Sequence, residues 1–381
     1  MTGHVALVTG ASRDSGVWAS TMLEKSMLNA ASTVLLGSLL KSVSRSFYLT
    51  LRILPAGMRE PVGLAYLLAR AADTIADTSL IAPEKRLQFL LSLRNQVNGA
   101  TDEASLRLIV NEVARQQNYS NERVLLESLG PALTLLSQLN HFDREAIREI
   151  VSTLTEGMEF DLRTFPDESS GRAAALQEFS ELDQYTYMIA GCVGEFWTRM
   201  TYAHVPGIYL GNPEKMVERG VRLGKALQMT NVLRDCGKDL RIGRCYIPAA
   251  MLAQFGLVPQ DLLSPDTSLR AQPVLFELVE KALNHFREGL EYVLALPALS
   301  IRLRSACLWP ILIGLETLVL LVSNDQWLDP QKASKISRGN VYRIVFFSLP
   351  IAVSNKLVRL WAEGLIGEVE ARMRLHKNNK S

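Results

Sequence analysis

Two stretches of this sequence carry carboxylates at helical spacing. In the run from Arg70 to Asp77, Asp73 and Asp77 lie four residues apart. On a helix they stand one turn apart on one face, with Arg70 beside them. In the run from Gln228 to Asp239, Asn231, Asp235 and Asp239 repeat at i, i+4 and i+8, again on one face, with Arg234 adjacent. Arg244 follows in the loop from Gly243 to Pro248. Four carboxylates on two facing helices suit a hard cation. Mg²⁺ takes oxygen ligands, keeps waters and is commonly completed by a substrate phosphate. Such cations neutralise a diphosphate and make it a better leaving group. Flanking arginines grip phosphate oxygens in bidentate fashion. Either motif alone also describes exposed acids paired with Lys or Arg along a helix. The two together favour the metal reading, because each has its own arginine and the first lies in an apolar stretch where unpaired carboxylates are expensive to bury.

The elements that must position these residues read as helices. Apolar residues recur at three- and four-residue spacing over 22–47 and 62–81, with Pro55 and Gly57 breaking the chain between them and Pro61 at a possible helix start. Further helices are predicted over 85–97, 103–117, 121–140, 143–165, 174–200, 212–240, 272–295, 299–323 and 340–373. Segment 241–271 is rich in Gly, Pro and Asp and reads mostly as loop. No series of alternating strands appears. The expectation is an N-terminal extension (1–20) that is poorly ordered, one helical domain (21–373) of about ten helices, and a polar tail (374–381).

The start differs from the rest. Val5 to Val8 followed by Gly10 to Gly16 has the look of a nucleotide-binding turn of a short-chain dehydrogenase, but the alternating strands and helices such a fold needs do not follow. Composition narrows the function further. With 41 Lys plus Arg against 39 Asp plus Glu, the net charge of +2 does not imply nucleic acid, which usually needs a strongly basic face, though a few local Arg residues could hold an anionic substrate. Cys192, Cys236, Cys245 and Cys307 have no CxxC spacing, which fits a reducing cytoplasm rather than a disulfide or zinc framework. The apolar run Leu308 to Val322 contains Pro310 and Glu316, and Val341 to Val353 contains Arg343 and Pro350. Neither reads as a membrane span.

Five ordered blocks resemble the squalene and phytoene synthase family, most closely its squalene-forming members. They are Ser44 to Phe47, Tyr66 to Asp77, Tyr185 to Gly194, Gln228 to Pro248 and Pro310 to Leu318, followed by Ser334 to Gly339. The resemblance implies an all-α class I isoprenoid synthase bundle around a central cavity. It implies Mg²⁺ bound by Asp73, Asp77, Asp235 and Asp239 with help from Asn231. Arg70, Arg234 and Arg244 would contact diphosphate, and Gln228 would join the substrate contacts. Ser44 and Phe47 would belong to a flap, with Tyr66 nearby. Tyr185 matches a tyrosine proposed to assist proton transfer, and Leu308 to Val322 would wall the cavity. Gly191 and Gly194 would let a helix approach a bulky prenyl tail.

The reaction implied joins two farnesyl diphosphates head to head through a cyclopropyl diphosphate, which NADPH then reduces to squalene. Lys335 and Arg338 resemble the basic segment that serves NADPH phosphates, although Ser337 stands where a basic residue is common. Phytoene- or dehydrosqualene-type prenyl transfer, without the reductive step, is the alternative. A non-catalytic scaffold descended from the family would have lost the acidic motifs, and both are intact. The polar end of the chain, in place of the membrane anchor of eukaryotic members, implies a cytoplasmic enzyme. Its insoluble product implies work at the inner face of a membrane.

Overall fold

The computed structural model describes residues 32–44, 47–165, 171–209 and 211–378. The dehydrogenase-like start therefore lies outside the described residues, as do Arg45, Ser46 and the side chain of Phe47. The helices are α1 (Leu40–Ser44), α2 (Phe47–Ile53), α3 (Ala56–Ala76), α4 (Pro83–Asn98), α5 (Glu103–Glu112), α6 (Ser120–Glu127), α7 (Leu129–Gln138) and α8 (His141–Thr164). After β1 (Ala174–Ala175) come α9 (Phe179–Thr186), a π turn (Tyr187–Gly191), α10 (Cys192–His204) and α11 (Pro213–Asp239). Then follow β2 (Arg244–Cys245), α12 (Ala249–Ala253), α13 (Ser268–Leu294), α14 (Ile301–Val322), α15 (Arg338–Ile351) and α16 (Asn355–Asn378).

Helix α11 forms the centre. Asn212 caps it by accepting from the Lys215 amide at 3.1 Å, and Pro213 occupies its first turn, where a missing N–H costs nothing. Around it pack α10, α13 and α14. Close approach is possible because small residues face each other. A Cβ on Gly224 would lie 2.0 Å from the Ala190 carbonyl oxygen, and one on Gly194 would lie 1.8 Å from that of Gly220. Gly191 and Gly194 thus serve helix packing against α11, not contact with a prenyl tail as the sequence suggested. The π turn beside them widens the helix where these backbones meet.

Helix α3 runs with Pro61 inside it, six residues in, instead of starting there. The predicted helices over 121–140 and 340–373 are each two. Pro131 has no N–H for the Glu127 carbonyl, and Ser354 opens α16 by accepting from the Leu357 amide at 3.4 Å. The segment 241–271 holds β2, α12 and short 3₁₀ turns. β2 pairs in parallel with β1 in register Ala174 to Arg244 and Ala175 to Cys245. Gly243, at φ +82°, makes the turn into β2 that its lack of a side chain permits. This clamp fixes the loop that carries Arg244 and Tyr246.

The four cysteines are buried and free. Helix α14 is long and apolar enough to cross a membrane, contrary to the sequence expectation, yet 78% of its most apolar window is buried within the bundle. Its start is held by Arg304, fully buried, which donates to the Leu296 carbonyl at 2.8 Å and to Asn355 Oδ1 at 2.6 Å.

Candidate active site

Helices α3 and α11 bring both acidic motifs to one cavity of about 690 Å³. Asp73, Asp77, Asp235 and Asp239 line it together with Gln228, Asn231, Arg234, Arg244 and Tyr185. Met158, Leu162, Ile189 and Val232 add apolar surface to the cavity wall. Gly157 allows this packing, since a Cβ there would meet Ile189 at 2.7 Å.

Both motifs sit at helix C-termini. Asp77 is the C-cap of α3 and its amide donates to the Asp73 carbonyl at 2.9 Å, while Asp239 is the last residue of α11. The helix dipole disfavours anions there, so helix stability cannot be why these acids are present. Burial and the neighbouring Asp77 push the Asp73 carboxyl up to about 6, against the opposing pull of Arg70. Although 40% of its side chain is accessible through the cavity, the concave wall withholds most of its hydration. Burial and Asp235 push Asp239 up to about 7. The acids are thus crowded in a way that added positive charge relieves. Among the described residues, no three His, Cys, Asp or Glu side chains are arranged to hold a metal ion by themselves.

The arginines divide. Arg234 pairs with Asp235, donating from Nε to Oδ1 at 3.1 Å, and faces the cavity. Arg70 pairs with Asp73 and with Glu122 of α6 at 2.5 Å, behind the acids and not on the cavity wall. Ser44 is buried and donates to the Leu40 carbonyl at 2.5 Å, and Tyr66 donates to the Val43 carbonyl at 3.3 Å. The Ser44 bond lies within α1, the Tyr66 bond ties α3 to α1, and neither residue lines the cavity. Lys335 is exposed and close to Lys238, which lowers its pKa. Arg338 is exposed at the start of α15, and neither lines this cavity.

Sequence reasoning missed Asp161. This buried residue of α8 accepts at Oδ2 from Tyr246 at 2.6 Å, Arg244 at 3.3 Å and Tyr185 at 3.4 Å. Tyr185 and Tyr246 stack with centroids 4.7 Å apart, and Phe165 meets Tyr246 edge-on at 5.2 Å. Burial raises the Asp161 carboxyl to about 6 even with Arg244 and both tyrosines favouring its charge. Burial and the Asp161 charge raise Tyr185 well above the usual phenol range, so it stays protonated. Asp161 had no partner at helical spacing. Its one signal was an acid set between Phe160 and Leu162. Arg86, which lines the cavity and donates to the Ala76 carbonyl at 2.9 Å, was also missed.

The squalene/phytoene synthase family model matches residues 40–340, most of the chain and all of the cavity. The chain belongs to the squalene/phytoene synthase family. A squalene/phytoene synthase family member is an enzyme of prenyltransferase type. A bifunctional lycopene cyclase/phytoene synthase of Arthroderma gypseum is 28% identical over 263 residues, covering 68% of this chain and 42% of that protein. A squalene synthase of Eremothecium gossypii is 24% identical over 316 residues, covering 81% and 66%. The chain thus matches less than two thirds of the length of either relative. The structure described as TcSQS in complex with a ligand superposes with a TM-score of 0.69 at 21% identity, over 92% of this chain and 99% of that one. A dehydrosqualene synthase in complex with a ligand gives 0.55 at 20%, over 86% and 98%. The fold is therefore the all-α isoprenoid synthase bundle. Squalene- and phytoene-forming relatives match this squalene/phytoene synthase family member at similar identity, so product type is not separated by likeness.

Proposed function

We propose that this enzyme joins two farnesyl diphosphates head to head and reduces the product to squalene. The observation that carries the reading is the meeting of both acidic motifs on one cavity with three arginines, Arg86, Arg234 and Arg244, and apolar wall residues. The donor set fits Mg²⁺. It is oxygen-only, its acids are crowded enough to raise their pKa values, and an ion there would be completed by water and diphosphate. Asp73 and Asp77 on one side, and Asp235 and Asp239 with Asn231 on the other, would hold it. Bound Mg²⁺ supplies charge neutralisation of the leaving diphosphate.

Arg234 and Arg244 bind diphosphate oxygens from the cavity wall. Arg70 acts from behind, fixing the Asp73 carboxylate while Glu122 fixes Arg70 in turn. As the first substrate ionises, its C1–O bond breaks and the electron pair leaves with diphosphate. The alkene of the second substrate then attacks the allylic cation, and loss of a proton closes the cyclopropane. Met158, Leu162, Ile189 and Val232 exclude the water that would quench the cation. Tyr185 meets this region as a neutral phenol, oriented by Asp161 and stacked on Tyr246. Asp161, not phenolate, is the anion nearest to its hydroxyl.

Reduction calls for a second ionisation, in which the cyclopropyl product loses its diphosphate and rearranges, and for NADPH, which would supply the hydride that quenches the resulting cation. Lys335 beside Lys238 at the end of α11, and Arg338 at the start of α15, are the residues proposed for its phosphates. The non-reductive alternative, a phytoene- or dehydrosqualene-type product, shares every residue except these. Incubation with farnesyl and geranylgeranyl diphosphates, with and without NADPH, followed by product identification, decides between them. Squalene from farnesyl diphosphate only when NADPH is present supports the proposal. A dehydrosqualene- or phytoene-type product regardless of NADPH would refute the reductive step.

A further inference from the structure

Helix α15 docks through a narrow stripe. Ile344 and Ser348 are buried, and Trp309 donates to Ser348 Oγ at 2.8 Å. Several large apolar residues of the helix and just beyond it face outward. Tyr342 is 66% exposed, Phe346 71%, Phe347 53%, Leu349 42% and Val353 41%. Tyr342, Phe346 and Leu349 follow i, i+4 and i+7 on one side of α15, and Val353 lies in the turn just past its end. Leu357 and Leu360, 46% and 67% exposed, continue the surface onto α16. Single exposed apolar residues are ordinary, but a run of large ones on adjoining helices marks a docking surface.

Charge identifies the partner. From 338 to 359 the basic residues are Arg338, Arg343, Lys356 and Arg359, with no Asp or Glu in the segment, and of these Arg359 is paired with Glu291 at 2.7 Å and Glu363 at 3.2 Å. Arg338 and Lys356 make no ion pair among the described residues, and Arg343 only approaches Glu316 at 3.9 Å. A second copy docked on this face by a two-fold would set cations against cations. Aromatic and aliphatic side chains bordered by Arg and Lys match the acyl boundary and anionic headgroups of a bilayer surface.

Position links this face to the chemistry. Val341 and Val345, on the inward side of α15, line a second cavity of about 300 Å³ with Trp309, Ile313 and Gly314. That cavity reaches Asn231 and Arg234, which also line the main one. We propose that α15 and the start of α16 seat on the surface of an anionic lipid bilayer, with the mouth of this apolar cavity beside the membrane. Prenyl tails and a hydrocarbon product would then pass between lipid and cavity without crossing water. The inference extends the proposed prenyl chemistry, but membrane seating is measured without turnover, so either can fail alone.

The test is flotation of the full chain with phosphatidylcholine vesicles and with vesicles enriched in phosphatidylglycerol. The wild type is expected to float with the anionic vesicles, less with the neutral ones, and less as salt rises. Phe346→Ser with Phe347→Ser should lower binding about tenfold or more, and Arg343→Glu with Lys356→Glu should abolish the preference for anionic lipid. Circular dichroism checks that each variant folds. Hydrogen exchange on the wild type reads the surface without any variant, and slower exchange over 338–360 with vesicles is expected. No flotation of the wild type, or folded variants that float as it does, overturns the proposal. So does unchanged exchange over 338–360. Light scattering showing a wild-type dimer that the Phe346→Ser, Phe347→Ser variant dissolves would assign the face to self-association instead.

Discussion

Replacing Asp161 by Asn should make the protein more stable and less active at the same time. In the folded chain burial raises the carboxyl to about 6, from the ordinary 3.8, even though Arg244, Tyr246 and Tyr185 all favour its charge. A shift of about two units corresponds to ~3 kcal/mol. Because the folded pKa is raised, that stabilisation is present in full below about pH 4 and is lost as pH rises through about 6. Wild-type stability should therefore fall across this window through this residue. Asn has the shape of the neutral acid, keeps an acceptor for Tyr246 and carries no charge to desolvate. At pH 8 the variant should be more stable by about 2–3 kcal/mol, and by pH 4 the gap should close. Urea unfolding at both pH values measures it. Turnover of farnesyl diphosphate should fall, because Arg244 loses its counter-charge and Tyr185 its anionic partner. A variant that is less stable at pH 8, with the same deficit at pH 4, would show Asp161 to be an ordinary structural ion-pair partner.

Three further outcomes are expected. Asp77→Ala or Asp235→Ala should abolish turnover while leaving helical circular dichroism unchanged, since both side chains face the cavity; near-normal turnover in either would remove the metal assignment. Thermal stabilisation of the wild type by Mg²⁺ with inorganic pyrophosphate should grow from pH 6 to pH 8, because Asp73 near 6 and Asp239 near 7 must lose their protons to bind a cation, and a pH-independent shift in melting temperature would contradict this. Gly224→Ala should destabilise the fold by about 1–3 kcal/mol or more, because its Cβ would meet the Ala190 backbone carbonyl and not a movable side chain; an unchanged melting temperature would mean the helices can part at little cost.

The acidic motifs were legible because helical spacing alone puts Asp73 with Asp77, and Asp235 with Asp239, on shared faces. That the two faces meet depends on tertiary packing, which the paired motifs with their arginines suggested and the family resemblance supported. Asp161 was hidden because its three partners come from two distant segments, brought together by the two-residue β1–β2 clamp, which is too short to leave a strand pattern. Gly191 and Gly194 were seen as meaningful but assigned to the ligand, since sequence shows that a glycine has something close by and not what that neighbour is. Ser44 and Tyr66 do not line the cavity. Their hydroxyls are spent on the backbone of α1, a choice local sequence does not encode. The exposed face of α15 lay within an apolar run that reads as core until its narrow docking stripe is known.

The central claim is that two separated helices offer one site for a metal-bound diphosphate. A crystal structure with Mg²⁺ and a non-hydrolysable thio analogue of farnesyl diphosphate tests it most directly. The account predicts metal ions bridging the analogue's diphosphate to Asp73, Asp77, Asp235 and Asp239, with Arg234 and Arg244 on its oxygens. Metal and diphosphate bound anywhere else, or an analogue bound without contact to either acidic motif, would contradict it.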